Sequence, residues 1–534
     1  MVTSTLRDIL SRKYISIAIV IVCVLARVIQ LVFFYNIRVD ASYQVLATQH
    51  LVEGHGVSFA EVFANDLSKT NYQLLINWPP GYSLLLAPFY ILFDQNYIAA
   101  GITLDILAAI LLILSCRAIL KVLDVPLHKR NIFTLLTCFF IYSFYFIASS
   151  DAVAIALFAA ALHLGFSAIV HRKNYLRNLL LSAFLLLLTA WIKYLFIPLA
   201  FIPILFWLVR GMADKDRQLR NSCITSLILL LSGVGALMIF QQTETGSVGY
   251  ISQSERGWFP EHLAEFYPFL PAAFLKPDTI ETVFNIRTQL ILPFYRIIHL
   301  IALTAAIVWA IRQLRMYGFS TSIRKIDFGL LGLILSLAII VLLATLSIRV
   351  AKEEIVPGTF WTYVEETRYY GLAYVLIHLF FFLNSHRNRV AKYLGIVLFG
   401  LLSVEAARGL VLVSKRVFLF GKETYSWQYE DEFQKYSDRI ISEAKQKSGI
   451  NRVVVTGSSY YMNHRTALYS HVPILYESEK LNDPNALATS EPCILLVTIH
   501  RDARNQFEPF LSRQGVSLAG EWDGFYFYTL YVYP

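Results

Sequence analysis

The sequence predicts an α-helical polytopic membrane protein of about eleven transmembrane helices, carrying a small C-terminal α/β extracytoplasmic domain. Three observations carry that expectation. Hydrophobic residues make up 56% of the 534 and charged residues only 16%, and the mean hydropathy is +0.54, whereas soluble domains run nearer about 25% charged. Apolar runs close to the roughly 20 residues that cross a bilayer recur through the first three quarters of the chain. Basic residues alternate between rich and sparse loops, as the positive-inside rule requires. The composition excludes a soluble enzyme, a secreted disulfide scaffold and a disordered regulator. The net charge of +9 belongs to cytoplasmic loops, and no nucleic-acid partner is implied. The cysteines Cys23, Cys116, Cys138, Cys223 and Cys493 have no spacing that suggests a disulfide framework or a zinc site.

Taken in order, the first apolar stretch (14–35) follows Arg7, Arg12 and Lys13 and is too long for a signal-peptide core. It reads as a retained anchor running outward from a cytoplasmic N-terminus. Further spans are expected near 98–116, 131–149, 152–170, 179–192, 195–209, 221–241, 290–311, 328–348, 369–383 and 393–413. On that topology the short inner loops hold 21 lysines and arginines, and the longer outer loops nine. Residues 179–209 read either as one long helix or as a hairpin with Lys193 at its outer tip; the hairpin is preferred. In the last span Glu405 and Arg408 stand i,i+3 and can neutralise each other on one helix face.

Three segments lie outside the spans. The first outer loop, 36–97, is half apolar and is punctuated by Gly54, Gly56 and Trp78-Pro79-Pro80-Gly81-Tyr82. A second, 242–288, mixes acidic and aromatic residues. It reads as a solvated loop or as a cover for the site, with Glu255, Glu261 and Glu265 as alternative acids. After about 414 comes a polar helical stretch, 427–447, then β-rich runs at 452–456, 494–499 and 525–532. The expected division is therefore 1–413, a transmembrane domain, which the resemblance given below would make the catalytic one, and 414–534, a soluble α/β domain outside the membrane.

Chemistry is sought where charge meets the membrane boundary. Asp40 lies just beyond the first span and opens a helix that ends at Gly54-His55-Gly56. It reads as a helix cap or as a general base whose basicity partial desolvation raises. Asp151 opens a later helix, again as a cap or a site acid. Lys193 and Arg368, each at a span boundary, either snorkel to lipid headgroups or bind one specific lipid phosphate. All four fall on one membrane face. Trp78 and Tyr82 flank the Pro-Pro-Gly turn, either as interface anchors or as rings of a binding surface. His50 and His55 stand i,i+5 with Glu53 between them, which puts the imidazoles on different helix faces and argues against zinc.

The order of these features over about residues 1–385 resembles the GT-C membrane glycosyltransferases, in the branch of the protein O-mannosyltransferases and the lipid A aminoarabinose transferase. The matching marks are Asp40 to Gly56, Pro79-Pro80-Gly81-Tyr82, Asp151, Thr189-Ala190-Trp191-Ile192-Lys193 and Arg368-Tyr369. The family usually carries an acidic pair or a single aspartate in the first loop; here only Asp40 fits. The resemblance implies inverting transfer of a sugar from a polyprenyl-phosphate donor to a lipid, glycan or protein acceptor of the cell envelope, on the outer face of the inner membrane. Asp40 would be the base, with Asp151 positioning acceptor, sugar or Lys193. Lys193, Arg368 and Tyr369 would hold the donor phosphate, and Trp78 and Tyr82 the substrate. No cofactor is implied, and a divalent metal is not indicated. The alternative is a polytopic transporter or flippase of a lipid-linked substrate, which would place its ionisable residues near the midplane and show related halves. Neither is visible in the sequence.

Overall fold

In the computed structural model, residues 8–33, 39–138, 150–249, 257–317, 324–349, 353–356, 359–361, 367–384, 389–418, 427–483 and 485–534 are described. The chain begins with α1 (Lys13–Phe33) and α2 (Val39–Val52), then the strands β1 (Ser58–Phe63) and β2 (Asp66–Leu74). Eight helices follow: α3 (Gly81–Leu92), α4 (Tyr97–Val122), α5 (Leu127–Cys138), α6 (Ser150–His171), α7 (Tyr175–Ile192), α8 (Phe196–Ala213), α9 (Arg217–Thr245) and the short α10 (Pro277–Phe284). Then come α11 (Thr288–Tyr317), α12 (Arg324–Arg349), the hairpin β3 (Glu353–Val356) and β4 (Thr359–Trp361), α13 (Gly371–Asn384) and α14 (Arg389–Phe418).

Among the described residues, nine helices are long and apolar enough to cross a membrane: α1, α4, α6, α7, α8, α9, α11, α12 and α14. The other two expected spans coincide with α5, where residues 139–149 lie outside the described residues, and with the 14-residue α13. The 179–209 stretch is a hairpin: Lys193 turns extended at φ −153° and ψ 127°, ending α7, and α8 restarts at Phe196.

The bundle is built around α6, 72% of whose apolar window is buried. Its run of alanines, Ala152 to Ala161, lets neighbouring helices approach closely, which is how helices associate where lipid offers no hydrophobic drive. Gly165 extends the same logic, since a Cβ there would lie 1.8 Å from the Trp207 ring of α8. The outward faces of α1, α9 and α11 stay apolar and exposed, as at Ile21, Leu231 and Ile301. They are the surfaces that hydrocarbon would solvate.

The tail contributes α15 (Trp427–Ser448), β5 (Val453–Gly457), α16 (Tyr460–Ser470), β6 (Ile474–Leu475), β7 (Cys493–His500), β8 (Ser517–Trp522) and β9 (Phe525–Val532). Its sheet is not self-contained. The strand order is β2-β1-β6-β5-β7-β9-β8, so two strands of the first loop form one edge. β1 runs parallel to β6, pairing Glu61 with Ile474 and Val62 with Leu475. Ala64 donates its N–H to Glu477 Oε2 at 2.8 Å, and Arg452 donates to the Leu67 carbonyl. On one face Val62, Leu67, Leu475, Leu495 and Phe510 share a core; the other face meets α15 and α16. The sequence placed β strands in the tail but saw none in the first loop, because Glu61, Asp66, Lys69 and Asn71 dilute the alternation that marks a strand.

Candidate functional site: two ion pairs around one tyrosine

α2 starts at Val39, which puts Asp40 in its first turn with the carboxylate facing outward, 31% exposed. Asp151 opens α6 in the same way but is buried at 3%. Lys193 sits on the α7–α8 turn at 7% exposure. That turn is clamped from several sides. Tyr194 donates its hydroxyl to the Ile76 carbonyl at 2.6 Å and accepts from Gln241 Nε2. Gly81 explains part of the Pro-Pro-Gly-Tyr signature: a Cβ there would meet the Trp191 carbonyl oxygen at 2.5 Å, so glycine lets α3 abut the last turn of α7, just before Lys193.

The structure brings the two predicted acids and the two predicted cations together. Lys193 forms a buried ion pair with Asp151. Arg368, 11% exposed, reaches Asp40 Oδ2 at 2.6 Å. The pairs share a ring: Lys193 Nζ lies 4.6 Å from the centroid of Tyr369, and the Arg368 guanidinium carbon 5.1 Å. A tyrosine ring near both cations offsets some of their mutual repulsion. Burial holds the Lys193 ammonium below its ordinary value, while Asp151 works in the opposite direction. Each carboxylate is thus matched to one cation, and a ligand carrying negative charge can compete for both cations at once.

This geometry adds to the sequence reading of Asp40 a guanidinium partner, Arg368, at 2.6 Å. Tyr82, expected at a substrate surface, is a correction. Its ring is fully buried in the helix core, and its hydroxyl has no hydrogen-bond partner among the described residues, because the close approach at Gly81 turns the start of α3 inward. Trp78 remains half-buried beside the site and stacks on Tyr43, one turn beyond Asp40, with centroids 4.8 Å apart. The helix ends at Val52, so His55 lies beyond it rather than on another of its faces; His50 bonds the Ser58 carbonyl through Nδ1 at 2.9 Å, and both imidazoles pack against Tyr72. Of the alternative acids, Glu261 is exposed on a one-turn helix, while Glu255 and the Glu265 side chain lie outside the described residues. Glu405 accepts from the Lys276 N–H at 2.7 Å and from Thr279, whose hydroxyl also accepts from Arg408 at 3.0 Å, which pins α10 to α14.

Sequence reasoning missed the partners of α2. Ser42 shares a hydrogen bond with His464 Nδ1 at 3.3 Å, and Gln49 bonds His471, both from the tail. No sequence signal joins positions 422 residues apart.

No protein-family model matches the chain, and no curated protein matches its sequence. Solved structures match its shape. ArnT from Cupriavidus metallidurans in the apo state is similar with a TM-score of 0.54 at 11% identity, over 96% of this chain and 97% of that one. The same protein bound to undecaprenyl phosphate gives 0.54 at 10% identity over the same shares. The oligosaccharyltransferase of Archaeoglobus fulgidus in the apo form gives 0.51 at 10% identity, over 93% of this chain and 71% of that one. The chain therefore shares the fold of these two proteins across most of its length.

Proposed function

We propose that this multi-pass membrane protein is a glycosyltransferase that moves a sugar from a polyprenyl-phosphate donor to a cell-envelope acceptor. The observation that carries the proposal is the pair of cations that both approach the Tyr369 ring, each paired with a carboxylate. The fold adds support, and ArnT of the same fold has been solved with undecaprenyl phosphate.

In this reading the donor phosphate approaches Lys193 and Arg368, its charge-assisted contacts displacing the Arg368–Asp40 pair while Lys193 keeps Asp151 as its partner. Arg368 leaving Asp40 frees the carboxylate to take a proton. Asp40 then accepts the proton of an acceptor hydroxyl as its oxygen attacks the anomeric carbon. The bond from that carbon to the phosphate oxygen breaks, the configuration inverts, and polyprenyl phosphate departs as a stable anion. It needs positive charge rather than a proton, so Lys193 and Arg368 suffice and the scheme requires no metal. Asp151 orients Lys193. Trp78 stands where the acceptor or sugar would approach. The proposed setting is the outer face of the inner membrane, with the N-terminus cytoplasmic, and the acceptor is a glycolipid, polysaccharide or protein.

The test is transfer in lipid nanodiscs from labelled polyprenyl-phosphate sugars to envelope extracts, together with mass spectrometry of envelope glycans from a deletion strain. A labelled product that depends on both Asp40 and Lys193 supports the reading. Lipid-linked sugar moving between leaflets with no new glycosidic bond would favour the flippase.

A further inference from the structure

The helix that carries Asp40 has an unusual interior. Ser42, Gln44, Thr48, Gln49 and His50 are all buried on it. An apolar stripe would let such a helix slide or rotate against its neighbours; buried polar groups tolerate only the register that satisfies them. Part of that register comes from the bundle. Ser83 donates its hydroxyl to the Gln44 carbonyl at 2.8 Å, and Gln44 Nε2 reaches the Ser150 hydroxyl at 3.5 Å. The other part comes from α16 of the tail, which lies parallel to α2 and touches it at both ends.

At the end nearest Asp40, the His464 ring is completely buried. One nitrogen bonds Ser42 Oγ at 3.3 Å and the other bonds the Tyr476 hydroxyl at 2.9 Å. The imidazole also packs edge-on against Tyr43, with centroids only 3.8 Å apart. Tyr43 and Asp40 are i,i+3 and so neighbours on one helix face. Burial pushes His464 down to about 3, so it remains a neutral hydrogen-bonding wedge across the physiological range. At the far end His471 bonds Gln49 and lies 3.5 Å from Glu53. Behind α2, the sheet joins the loop that follows it to the tail through β1 and β6.

We propose that His464 is a positioning residue for the transfer reaction: the tail domain clamps the first turn of α2 through this imidazole and so sets the Asp40 carboxylate against Arg368. The inference rests on the proposed role of Asp40. It makes the tail a working part of the membrane site rather than an appended module. Removing the ring opens a hole under Ser42 and Tyr43, and a base displaced by about an ångström loses on the order of a hundredfold in rate.

The test uses the full chain in nanodiscs, comparing wild type, His464→Ala and His464→Asn, the last retaining a hydrogen-bonding atom near the Nδ1 position. Hydrogen–deuterium exchange over α2 gives a readout independent of activity, and kcat and KM for the donor give the catalytic one. His464→Ala should speed exchange in the first turn of α2 and lower kcat by about 10- to 100-fold, leaving donor KM within about twofold, and His464→Asn should recover part of both. Unchanged exchange in the alanine variant overturns the proposal. So does unchanged kcat per folded molecule while Asp40→Asn abolishes turnover. An active Asp40→Asn enzyme would instead remove the base assignment, and exchange alone would then decide whether the clamp exists.

Discussion

Removing one member of the Lys193–Asp151 pair tests the site where its charges are most deeply enclosed. The side chains are 9% and 4% exposed, so neither charge can fall back on water once its partner is gone. Breaking a buried pair from one side destabilises by about 3–5 kcal/mol, because the survivor is left uncompensated or must change its protonation to escape. Asp151→Asn should therefore lower stability by several kcal/mol, and it leaves Lys193 either neutral or displaced toward Tyr369. Losing a charge-assisted contact of about 1.5–3 kcal/mol then lowers donor affinity more than about tenfold. Lys193→Met should cost comparable stability, now by stranding Asp151. The double variant Asp151→Asn, Lys193→Met strands nothing. Its stability should return to within about 1 kcal/mol of wild type, giving a coupling energy of at least about 2 kcal/mol, while donor affinity stays lost. Stability is measured by SDS-titrated unfolding in mixed micelles, and affinity by equilibrium binding of a fluorescent polyprenyl-phosphate sugar. Single variants that lose less than about 0.5 kcal/mol and combine additively would show that the pair is solvated and refute the enclosed-site reasoning. A double variant that binds donor like wild type would refute the phosphate role of Lys193.

Three further outcomes are expected. Asp40→Asn should abolish transfer while donor binding and folding persist, since a positioned base contributes about 10²–10⁴-fold and asparagine would replace a mere cap almost without loss; turnover within a few-fold of wild type counts against the base. Ser458→Cys should react with a membrane-impermeant thiol reagent in intact cells, because the sheet places the tail on the same side as the first loop; labelling only after lysis would place both on the cytoplasmic side. The half-buried Glu61, beside Glu477 where the loop strands join the tail, is pushed up to about 7 by burial and then by that neighbour. Its folded-state value lies above the unfolded one near 4.5, so the folded form holds the proton more tightly and stability falls as pH rises from about 4.5 through about 7. The thermal transition of Glu61→Gln should therefore lose less between pH 5 and pH 8 than that of wild type, and parallel pH profiles would exclude Glu61 as the cause.

What the sequence determined by itself follows from local, periodic physics. Hydrocarbon demands long apolar helices and unequal basic loops, and both demands are written residue by residue, so the bundle and the α7–α8 hairpin were legible from 179–209 and its flanks. The four charges at span boundaries were legible for the same reason: Asp40, Asp151, Lys193 and Arg368 stand where a charge needs a purpose or a headgroup. Which carboxylate would face which cation was not. That pairing depends on α2, α6, the α7–α8 turn and the segment before α13 meeting at one end of the bundle, and no local pattern encodes it. Tyr82 went into the core for a similarly distant reason, since the room that Gly81 leaves is filled by Trp191, about a hundred residues later. The strands of the first loop, and the imidazole of His464 against Ser42, were decided only by the fold. An edge strand with charged residues has little propensity of its own until β6 pairs with it, and a buried histidine becomes a wedge only when another helix is laid against it.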